Sequence, residues 1–367
     1  MITHMILLLE RFQRERRRRI EERITAMIRR KNLMIRRREL RDSSNPFLIG
    51  DNIFRKEYRM FPWMAIELFH LVEPLLPNHY AGVPPDMQFF SVLSFLALGS
   101  YQKSNANDHK HPISQPTFSK YIHIVISTIV SLRHRYIRFP RTEEEIEKIQ
   151  DEFAERLGID GVLGALDCTT IKIFTPAEFE EAFVDRKNNH SLNSQMICDM
   201  NYKIRALKIC RGSTHDQHIW NHCKIRDRMY RFRLQNGRAF YFIADEGYSP
   251  SRVLLVPMSD AAPGTPERNY SDAIRGTRCK IEQTFGVLKG SWRCLNGMRG
   301  LHYEPHFAAE IITSCVILHN FLREKGMPLP DFYEHQAEAD ERIPPVMDGE
   351  YQLGLQERER IIRTYFQ

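Results

Sequence analysis

Three acidic residues have the types and spacing of a metal-dependent phosphoryl-transfer site. Asp167 ends the apolar run Gly161–Leu166, and Asp245 ends the apolar run Ala239–Ala244. Short apolar runs are typical of buried strands, so each strand delivers an aspartate at its C-terminal end. Glu282 lies instead in a segment with helical spacing. Because hard Mg²⁺ or Mn²⁺ ions prefer carboxylate oxygens and work in pairs at phosphorus, the three acids indicate nucleic-acid strand cleavage.

The helix predicted around Glu282 also carries cations. At 100° per residue, four basic residues fall within about 40° of Glu282 on one face. These four residues are Arg275, Arg278, Lys289 and Arg293. For this helix alone, an ordinary amphipathic helix with a solvated charged face is an equally good interpretation. Together with the two strand-end aspartates, the four cations are interpreted as contacts to DNA phosphates.

Five blocks of the sequence, taken in order, resemble those of PIF/Harbinger transposases and of the host nucleases derived from them. The blocks are Gly164-Ala-Leu-Asp-Cys-Thr169, Arg186-Lys-Asn-Asn-His-Ser-Leu-Asn-Ser-Gln195, Gly212-Ser-Thr-His-Asp-Gln-His-Ile-Trp220, Ala244-Asp-Glu-Gly-Tyr248 and Ile281-Glu-Gln-Thr-Phe-Gly-Val-Leu-Lys289. Each block alone is weakly specific. Their order, with a step of 37 residues from Asp245 to Glu282, makes the resemblance specific.

The resemblance implies an α/β fold with an RNase H-like catalytic core, in which helices flank a mixed sheet. It implies that Asp167, Asp245 and Glu282 form the catalytic triad and hold two divalent ions, Mg²⁺ or Mn²⁺. It also implies a further metal ligand, Asp216. From the residues alone, two interpretations of Asp216 stay open: a ligand at the carboxyl edge of the sheet, or a helix N-terminal acid that complements the macrodipole.

Two polar groups next to these acids each have two interpretations. The block containing Arg186, Lys187 and His190 either lines the DNA-binding cleft or forms a plain hairpin turn, and we favour the cleft. His215, His218 and His222 have spacings of three and four, which can hold zinc on one helical face. We favour histidines that line the cleft, because the acids around them suit a harder ion.

The resemblance implies an enzyme, a DNA endonuclease or transposase that cuts double-stranded DNA at transposon ends and joins the 3′ ends to target DNA. It further implies a nuclear protein that works with a Myb/SANT-like DNA-binding partner and stays cytoplasmic until partnered. Paired-end cutting favours a homodimer. The alternative is a domesticated DNA- or partner-binding scaffold without cleavage, although clustered carboxylates cost such a scaffold stability. An RNase acting on RNA hybrids is compatible with the core but not indicated by the flanking blocks.

The basic excess is concentrated at the N-terminus. Residues 1–41 contain 14 Lys and Arg against five Glu, a net charge of +9, whereas the rest of the chain carries −2. An apolar stripe within this segment predicts a helical arm, which either binds phosphates, carries a nuclear localisation signal, or pairs as a short coiled coil. The DNA-contacting residues predicted in it are Arg16, Arg17, Arg18 and Arg19.

Four segments are predicted along the chain. They are a basic helical arm (1–50), a helical domain with a helix-turn-helix candidate (51–155), the DDE nuclease core (156–325) and an acidic extended tail with a terminal helix (326–367). Ser114, in the run Ser114-Gln-Pro-Thr117, starts a helix as a recognition helix does, and Lys120 on it would contact DNA. Residues 102–112 lack the apolar residues of a supporting helix, so a bundle that only braces the core stays open.

Strands are predicted near 162–173, 191–200, 203–211 and 239–245, the first three as antiparallel neighbours. With 42% hydrophobic residues in 367, the chain can bury a full core. It has no run of eighteen apolar residues, so we predict no membrane partner. Seven cysteines without a Cys-x-x-Cys pair are typical of a reducing compartment.

Overall fold

The computed structural model describes residues 2–43, 45–77, 82–99, 113–297, 300–329 and 349–367. The α-helices in these ranges are α1 (Ile2–Ser43), α2 (Asp51–Tyr58), α3 (Pro62–Val72), α4 (Pro85–Leu98), α5 (Gln115–Ser131), α6 (Arg133–Tyr136), α7 (Glu143–Leu157), α8 (Asp216–Asn221), α9 (Lys224–Asn236), α10 (Pro266–Ser291), α11 (Pro305–Glu324) and α12 (Gly349–Tyr365). The strands are β1 (Val162–Lys172), β2 (Ser191–Cys198), β3 (Ile204–Arg211), β4 (Tyr241–Ile243) and β5 (Leu254–Leu255).

The strands form one mixed sheet in the order β3-β2-β1-β4-β5. β1, β2 and β3 pair antiparallel, whereas β4 is parallel to β1 and β5 is parallel to β4. The prediction that the first three strands are antiparallel neighbours is therefore confirmed. With its flanking helices and the helices that precede it, the sheet fits an α/β fold of the DDE type.

A buried aspartate fixes the register of the antiparallel strands. Asp199 accepts hydrogen bonds from the backbone N–H groups of Asn201 and Lys203, each at 2.9 Å. Its second oxygen pairs with Arg205 at 2.6 Å. The buried carboxylate is thus fully satisfied and holds the turn between β2 and β3 in one geometry. The resulting register sets which residues of β1 and β2 share a face of the sheet.

Helix α11 holds this hairpin from the other side. The side-chain amide of Asn320 accepts a hydrogen bond from the backbone N–H of Ile204 at 2.8 Å and donates one to its carbonyl at 2.7 Å. Next to it in the chain, His319 donates through Nε2 to the carbonyl of Tyr202 at 2.7 Å. Both side chains are buried. The hairpin therefore cannot shift along α11 without leaving buried polar groups unpaired.

The region before the sheet is helical in its described residues. Helix α4 is buried continuously from Met87 to Ala97, as its largely apolar sequence predicts for a core helix. Helix α5 begins at the predicted place, since Ser114 is its N-cap and accepts from the backbone N–H of Thr117. The segment 102–112 before it lies outside the described residues, as does 330–348 of the predicted acidic tail.

Helix α1 contrasts with this packed region. From position 11 to 40 its described side chains are exposed, apart from one that is half-buried, and they include the apolar Phe12, Ile24 and Met27. None of the helices within the described residues is long and apolar enough to cross a membrane. The predicted helical arm thus forms a helix whose apolar stripe is not covered by the described part of the chain.

Candidate active site

The two aspartates predicted at strand ends come to neighbouring positions in the sheet. In the parallel pair β1 and β4, Ala165 lies opposite Ile243, and Asp167 and Asp245 each follow two residues later. Asp245 lies just past β4, whereas β1 continues to Lys172, close to the end of the strand predicted near 162–173, so only the interpretation that Asp167 ends its strand was wrong. Asp167 lies instead where β1 runs on beyond its shorter partner. Equal spacing along two parallel strands still brings the carboxylates together.

Both aspartates also accept hydrogen bonds from the backbone that follows them. Asp167 accepts one from the N–H of Cys168 at 2.8 Å, and Asp245 accepts one from the N–H of Gly247 at 3.0 Å. Such bonds favour the charged form of a carboxylate and fix its orientation. The two side chains are therefore held by their own segments as well as by the sheet.

The proximity of these aspartates is evident in the electrostatics of Asp167. Burial and the charge of Asp245 raise the pKa of Asp167 well above its usual value, although Arg278 acts in the opposite direction. A carboxylate with another carboxylate beside it in a buried position favours the protonated form. A positive charge placed between Asp167 and Asp245 would relieve this cost.

One arginine connects Asp167 to the third predicted acid. Arg278 lies one helical turn before Glu282 on α10, and its guanidinium bridges two carboxylates. Its Nη1 is 3.1 Å from Asp167, and its Nη2 is 2.6 Å from Glu282. Burial acts to lower the pKa of Arg278, but Asp167 and Glu282 outweigh it and raise that pKa. Glu282 therefore joins the site through a cation that the protein itself supplies.

Asp216 lies close enough to this cluster to raise the pKa of Asp167 further, but it is held from the other face of the sheet. It starts α8 and accepts a hydrogen bond from Asn193 Nδ2 at 2.6 Å. Asn193 pairs with Thr170 in the register of β1 and β2, so it faces away from Asp167. The structure thus brings Asp216 near the two aspartates while giving it a separate hydrogen-bond partner.

Three of the cations predicted to face DNA contact the protein itself. Arg275 pairs with Glu246 and donates to the carbonyl of Met258 at 3.0 Å. Lys289 donates to the carbonyl of Thr170 on β1 at 3.0 Å. Together with the bridging Arg278, these contacts fasten α10 to the sheet. The geometry therefore gives the basic face of α10 a positioning role in this state.

The placement of Arg293 on the face of Glu282 was wrong. Helix α10 ends at Ser291, and Arg293 begins a short 3-10 turn. The buried Trp292 between them packs into the core, which ends the regular 100° rotation. Arg293 is exposed at this turn.

The remaining predicted residues lie in three other places. Arg186 and Lys187 are exposed on the tight turn from Asp185 to Asn189. His190 is next to that turn, with Nε2 2.9 Å from the Glu180 carboxylate. Lys120 is exposed on α5, and the run Arg16, Arg17, Arg18 and Arg19 is exposed on α1.

Two side chains beside the acids were not singled out from the sequence. Tyr248 donates from its hydroxyl to Cys168 Sγ, 3.4 Å away, and burial raises the pKa of both groups well above their usual values. The contact packs the turn after Asp245 against β1. Both residues occur in blocks that resemble the transposase family, Asp-Cys and Asp-Glu-Gly-Tyr. Their place in these blocks was the only feature of the sequence that could have singled them out.

The acids suit a hard divalent cation by their chemistry. Asp167 and Asp245 offer carboxylate oxygens in a crowded negative position, and the Cys168 thiol beside them is neutral because burial raises its pKa. Within the described ranges, no group of three His, Cys, Asp or Glu side chains converges closely enough to hold a metal ion. This also applies to the histidines considered for zinc. Instead, Arg278 occupies the space between two of the acids.

Comparison with known proteins finds similarity over the same region. A family model described as "DDE superfamily endonuclease" matches residues 166–320. The chain is 28% identical to "Putative nuclease HARBI1" of Bos taurus over 84% of this chain and 88% of that protein. It is 29% identical to the Homo sapiens protein of the same name, over 74% of this chain and 82% of that protein.

More distant similarity extends to plants. The chain is 21% identical to "Protein ALP1-like" of Arabidopsis thaliana over 74% of this chain and 70% of that protein. No solved structure matches the chain. The endonuclease match covers Asp167, Asp245 and Glu282 together, in the order that the resembling blocks require. The endonuclease match and these relatives support the resemblance of the chain to DDE nucleases derived from PIF/Harbinger transposases.

Proposed function

We propose that this protein is a metal-dependent DDE endonuclease that cuts the strands of DNA. One observation carries the proposal: Asp167 and Asp245 follow equivalent positions of adjacent parallel strands, and Arg278 connects Asp167 to Glu282. A buried cluster of acids is costly unless a cation is present. Nuclease relatives and the endonuclease match support the same reaction class.

We further propose that the sheet is the core of an RNase H-like fold. The mixed five-stranded sheet, with α10 on the face of Asp167 and α8 on the face of Asn193, supports this assignment. The segment 156–325 is then the catalytic domain. The helices of 51–155 form the preceding domain, in which α5 is the candidate recognition helix of a helix-turn-helix.

In the proposed reaction, the acids of this chain position the divalent ions. Asp167 and Asp245 would hold the cations beside the sheet, and Glu282 would complete the site from α10. Two Mg²⁺ or Mn²⁺ ions, when bound, activate a water molecule and stabilise the leaving 3′ oxygen in an in-line displacement. Binding requires Arg278 to release Asp167 and Glu282. Its freed guanidinium then suits a DNA phosphate, with which it can form paired hydrogen bonds.

The same arrangement serves strand joining. A 3′-OH freed by the first cut takes the place of water as the nucleophile on target DNA. We propose double-stranded DNA, both transposon ends and target, as the substrate, and a homodimer as the unit that cuts paired ends. We also propose a Myb/SANT-like partner that supplies DNA specificity and entry into the nucleus. Helix α1, with its exposed arginine run, supplies additional phosphate contacts.

A second function, a non-cleaving DNA- or partner-binding scaffold, is favoured by one observation. Arg278 already pairs with two of the acids, Asp167 and Glu282. A protein that no longer binds metal can keep these ion pairs as structure. The two functions differ in whether Arg278 gives way to divalent ions.

The test is cleavage of end-labelled double-stranded DNA with Mg²⁺ or Mn²⁺, with and without a Myb-like partner. We expect metal-dependent nicks that are absent with Asp245→Asn. Asp151→Asn, a matched change at an exposed aspartate of α7, should cut like the wild type. Absence of cleavage by folded wild-type protein under every condition would instead establish the scaffold.

A further inference from the structure

A second polar site lies on the face of the sheet opposite Asp167. A cavity of about 540 Å³ is enclosed by the edge formed by β2 and β3, the segment 133–141 and the first turn of α9. Gln195 and Ile197 of β2 form its floor. In the β1–β2 register these residues pair with Cys168 and Leu166, the neighbours of Asp167, so strand alternation places the cavity on the face opposite Asp167, where Asn193 also holds Asp216.

The lining of this cavity is strongly cationic. None of the residues that line it is Asp or Glu. Arg138 and Arg205 are paired with carboxylates outside the lining, at 2.7 Å and 2.6 Å. Within the described residues, no ion pair involves the other five cations of the lining, which are Arg133, Arg141, Lys208, Lys224 and Arg228.

Several of these cations are held in place by neutral partners. Arg228 donates to the carbonyl of Pro140 at 2.9 Å and lies over the ring of Phe139, 5.1 Å from its centroid. Arg133 donates to the carbonyl of Leu207 at 3.1 Å. These contacts fix the geometry of the guanidinium groups but leave their charges uncompensated. Burial and the charge of Arg141 accordingly lower the pKa of Arg228. An anion would remove this repulsion.

The neutral part of the lining restricts the chemistry of that anion. Ile137, Phe139 and Ile197 provide an apolar wall of the kind that a flat ring packs against. The N-cap of α9, Cys223, makes no side-chain cap, which leaves the first backbone N–H groups of that helix available to a phosphate.

We propose that this cavity binds a nucleoside phosphate. The phosphates lie among Arg141, Lys224 and the N-terminus of α9. The base packs on the apolar wall with Phe139. The nucleotide is either free or part of a DNA strand, since both present the same base, sugar and phosphate. The site is separate from the proposed cleavage site and does not depend on it.

Binding to the full chain in EDTA tests the proposal, because metal at the acid cluster is then excluded. Isothermal titration compares ATP with adenosine and with pyrophosphate. We expect ATP to bind at least about ten-fold more tightly than either, because only ATP has both halves of the ligand. Pyrophosphate binding as tightly as ATP would overturn the assignment of a nucleoside.

A double substitution in the cavity tests whether ATP binds there. Arg141→Gln with Lys224→Gln changes two exposed side chains for which no side-chain hydrogen bond is found within the described residues, so the fold is expected to persist. This variant should bind ATP at least about ten-fold more weakly, equivalent to about 1.4 kcal/mol. Arg156→Gln with Arg363→Gln removes two exposed cations elsewhere and should bind normally. Equal ATP affinity in wild type and cavity variant would refute the site.

Two further experiments distinguish a free nucleotide from a DNA strand, and the cavity from the acidic cluster. A single-stranded oligonucleotide that binds wild type and loses affinity in the cavity variant, with no binding of ATP, would assign the nucleotide to a strand. Asp167→Asn should leave ATP binding in EDTA unchanged, whatever its effect on cleavage. ATP affinity that falls with Asp167→Asn would contradict a site on the opposite face.

Discussion

The two faces of the central sheet concentrate opposite charges in different ways. On one face, Asp167 and Glu282 share the guanidinium of Arg278, so an internal cation compensates part of the charge of the acidic cluster. On the other face, the lining of the cavity contains no acid, and Arg133 and Arg228 are held there by neutral partners. A ligand of the acidic cluster must displace an arginine, whereas a ligand of the cavity displaces no charge. Binding at the first site should therefore involve rearrangement, and binding at the second should only relieve repulsion.

The largest expected effect follows from removing the buried acid. Asp167→Asn should lower the rate of metal-dependent cleavage by more than the roughly 10–100-fold that loss of an outer partner of a metal ligand costs. The same variant should be more stable than the wild type without metal at neutral pH. Gel assays of cleavage and thermal unfolding in EDTA measure the two effects. Cleavage at the wild-type rate would remove Asp167 from the catalytic site.

The pH dependence of that stability has a definite sign. Burial and Asp245 raise the pKa of Asp167 in the folded protein above its unfolded value. The folded state therefore holds the proton more tightly, and stability is lost as pH rises from about 4 through the raised pKa. The advantage of the Asn variant should grow over the same window. A constant difference between pH 4 and 8 would contradict the raised pKa.

Replacing the bridging arginine should destabilise the side of the sheet that carries Asp167, without changing the cavity on the other side. Arg278→Met removes a partner of both Asp167 and Glu282, and breaking such a pair typically costs roughly 3–5 kcal/mol. Mg²⁺ should then raise the unfolding temperature of the variant more than that of the wild type, because no arginine competes with it. Arg275→Met, which loses Glu246 instead, is the matched control. Equal Mg²⁺ responses in the three proteins would show that Arg278 does not occupy the cation position.

A buried histidine gives the opposite pH dependence to the acidic cluster. Burial lowers the pKa of His319, which donates to Tyr202, to about 4. Because the unfolded chain binds this proton more tightly, stability is complete above about pH 6.5 and is lost as pH falls toward 4. The loss should be on the order of 3 kcal/mol. In His319→Gln, denaturant unfolding between pH 4 and 7 should show a flatter profile, and an unchanged slope would place the acid sensitivity elsewhere.

Some of the candidate site could be predicted from the sequence, because it depended on short-range patterns. An apolar run that ends in an acid predicts a buried strand with a carboxylate after it, and Asp245 follows β4 in this way. The same pattern placed Asp167 correctly beside it, although β1 continues past that residue. Helical spacing placed Glu282 on α10. The position of Arg293 failed because Trp292 enters the core and ends the helix.

The contacts between distant segments could not be predicted. Helical geometry puts Arg278 beside Glu282 but does not determine whether it faces DNA or turns to Asp167 on β1. The cavity was missed for the same reason, since its cations come from 133–141, 205–208 and 224–228. No window of the sequence contains them together. Strand β5, with two residues, was missed because it is too short to show alternation. A resemblance orders the acid-bearing blocks, but it does not specify which charges compensate one another.

Deletion of helix α1 should have the smallest effect on stability, because its cations are exposed and do not line a cavity. Its side chains from 11 to 40 are exposed with one half-buried exception, so deletion of residues 1–43 should leave the unfolding temperature of the remainder unchanged. Affinity for double-stranded DNA should fall, and the slope of log affinity against log salt should decrease by about 0.9 for each phosphate that the shortened protein no longer neutralises. ATP binding in EDTA should be unaffected, because the cavity is built from other segments. If the truncation also abolished ATP binding, the cations of the cavity would not bind ATP without those of α1. The contrast between the two faces of the sheet would then lose its physical basis.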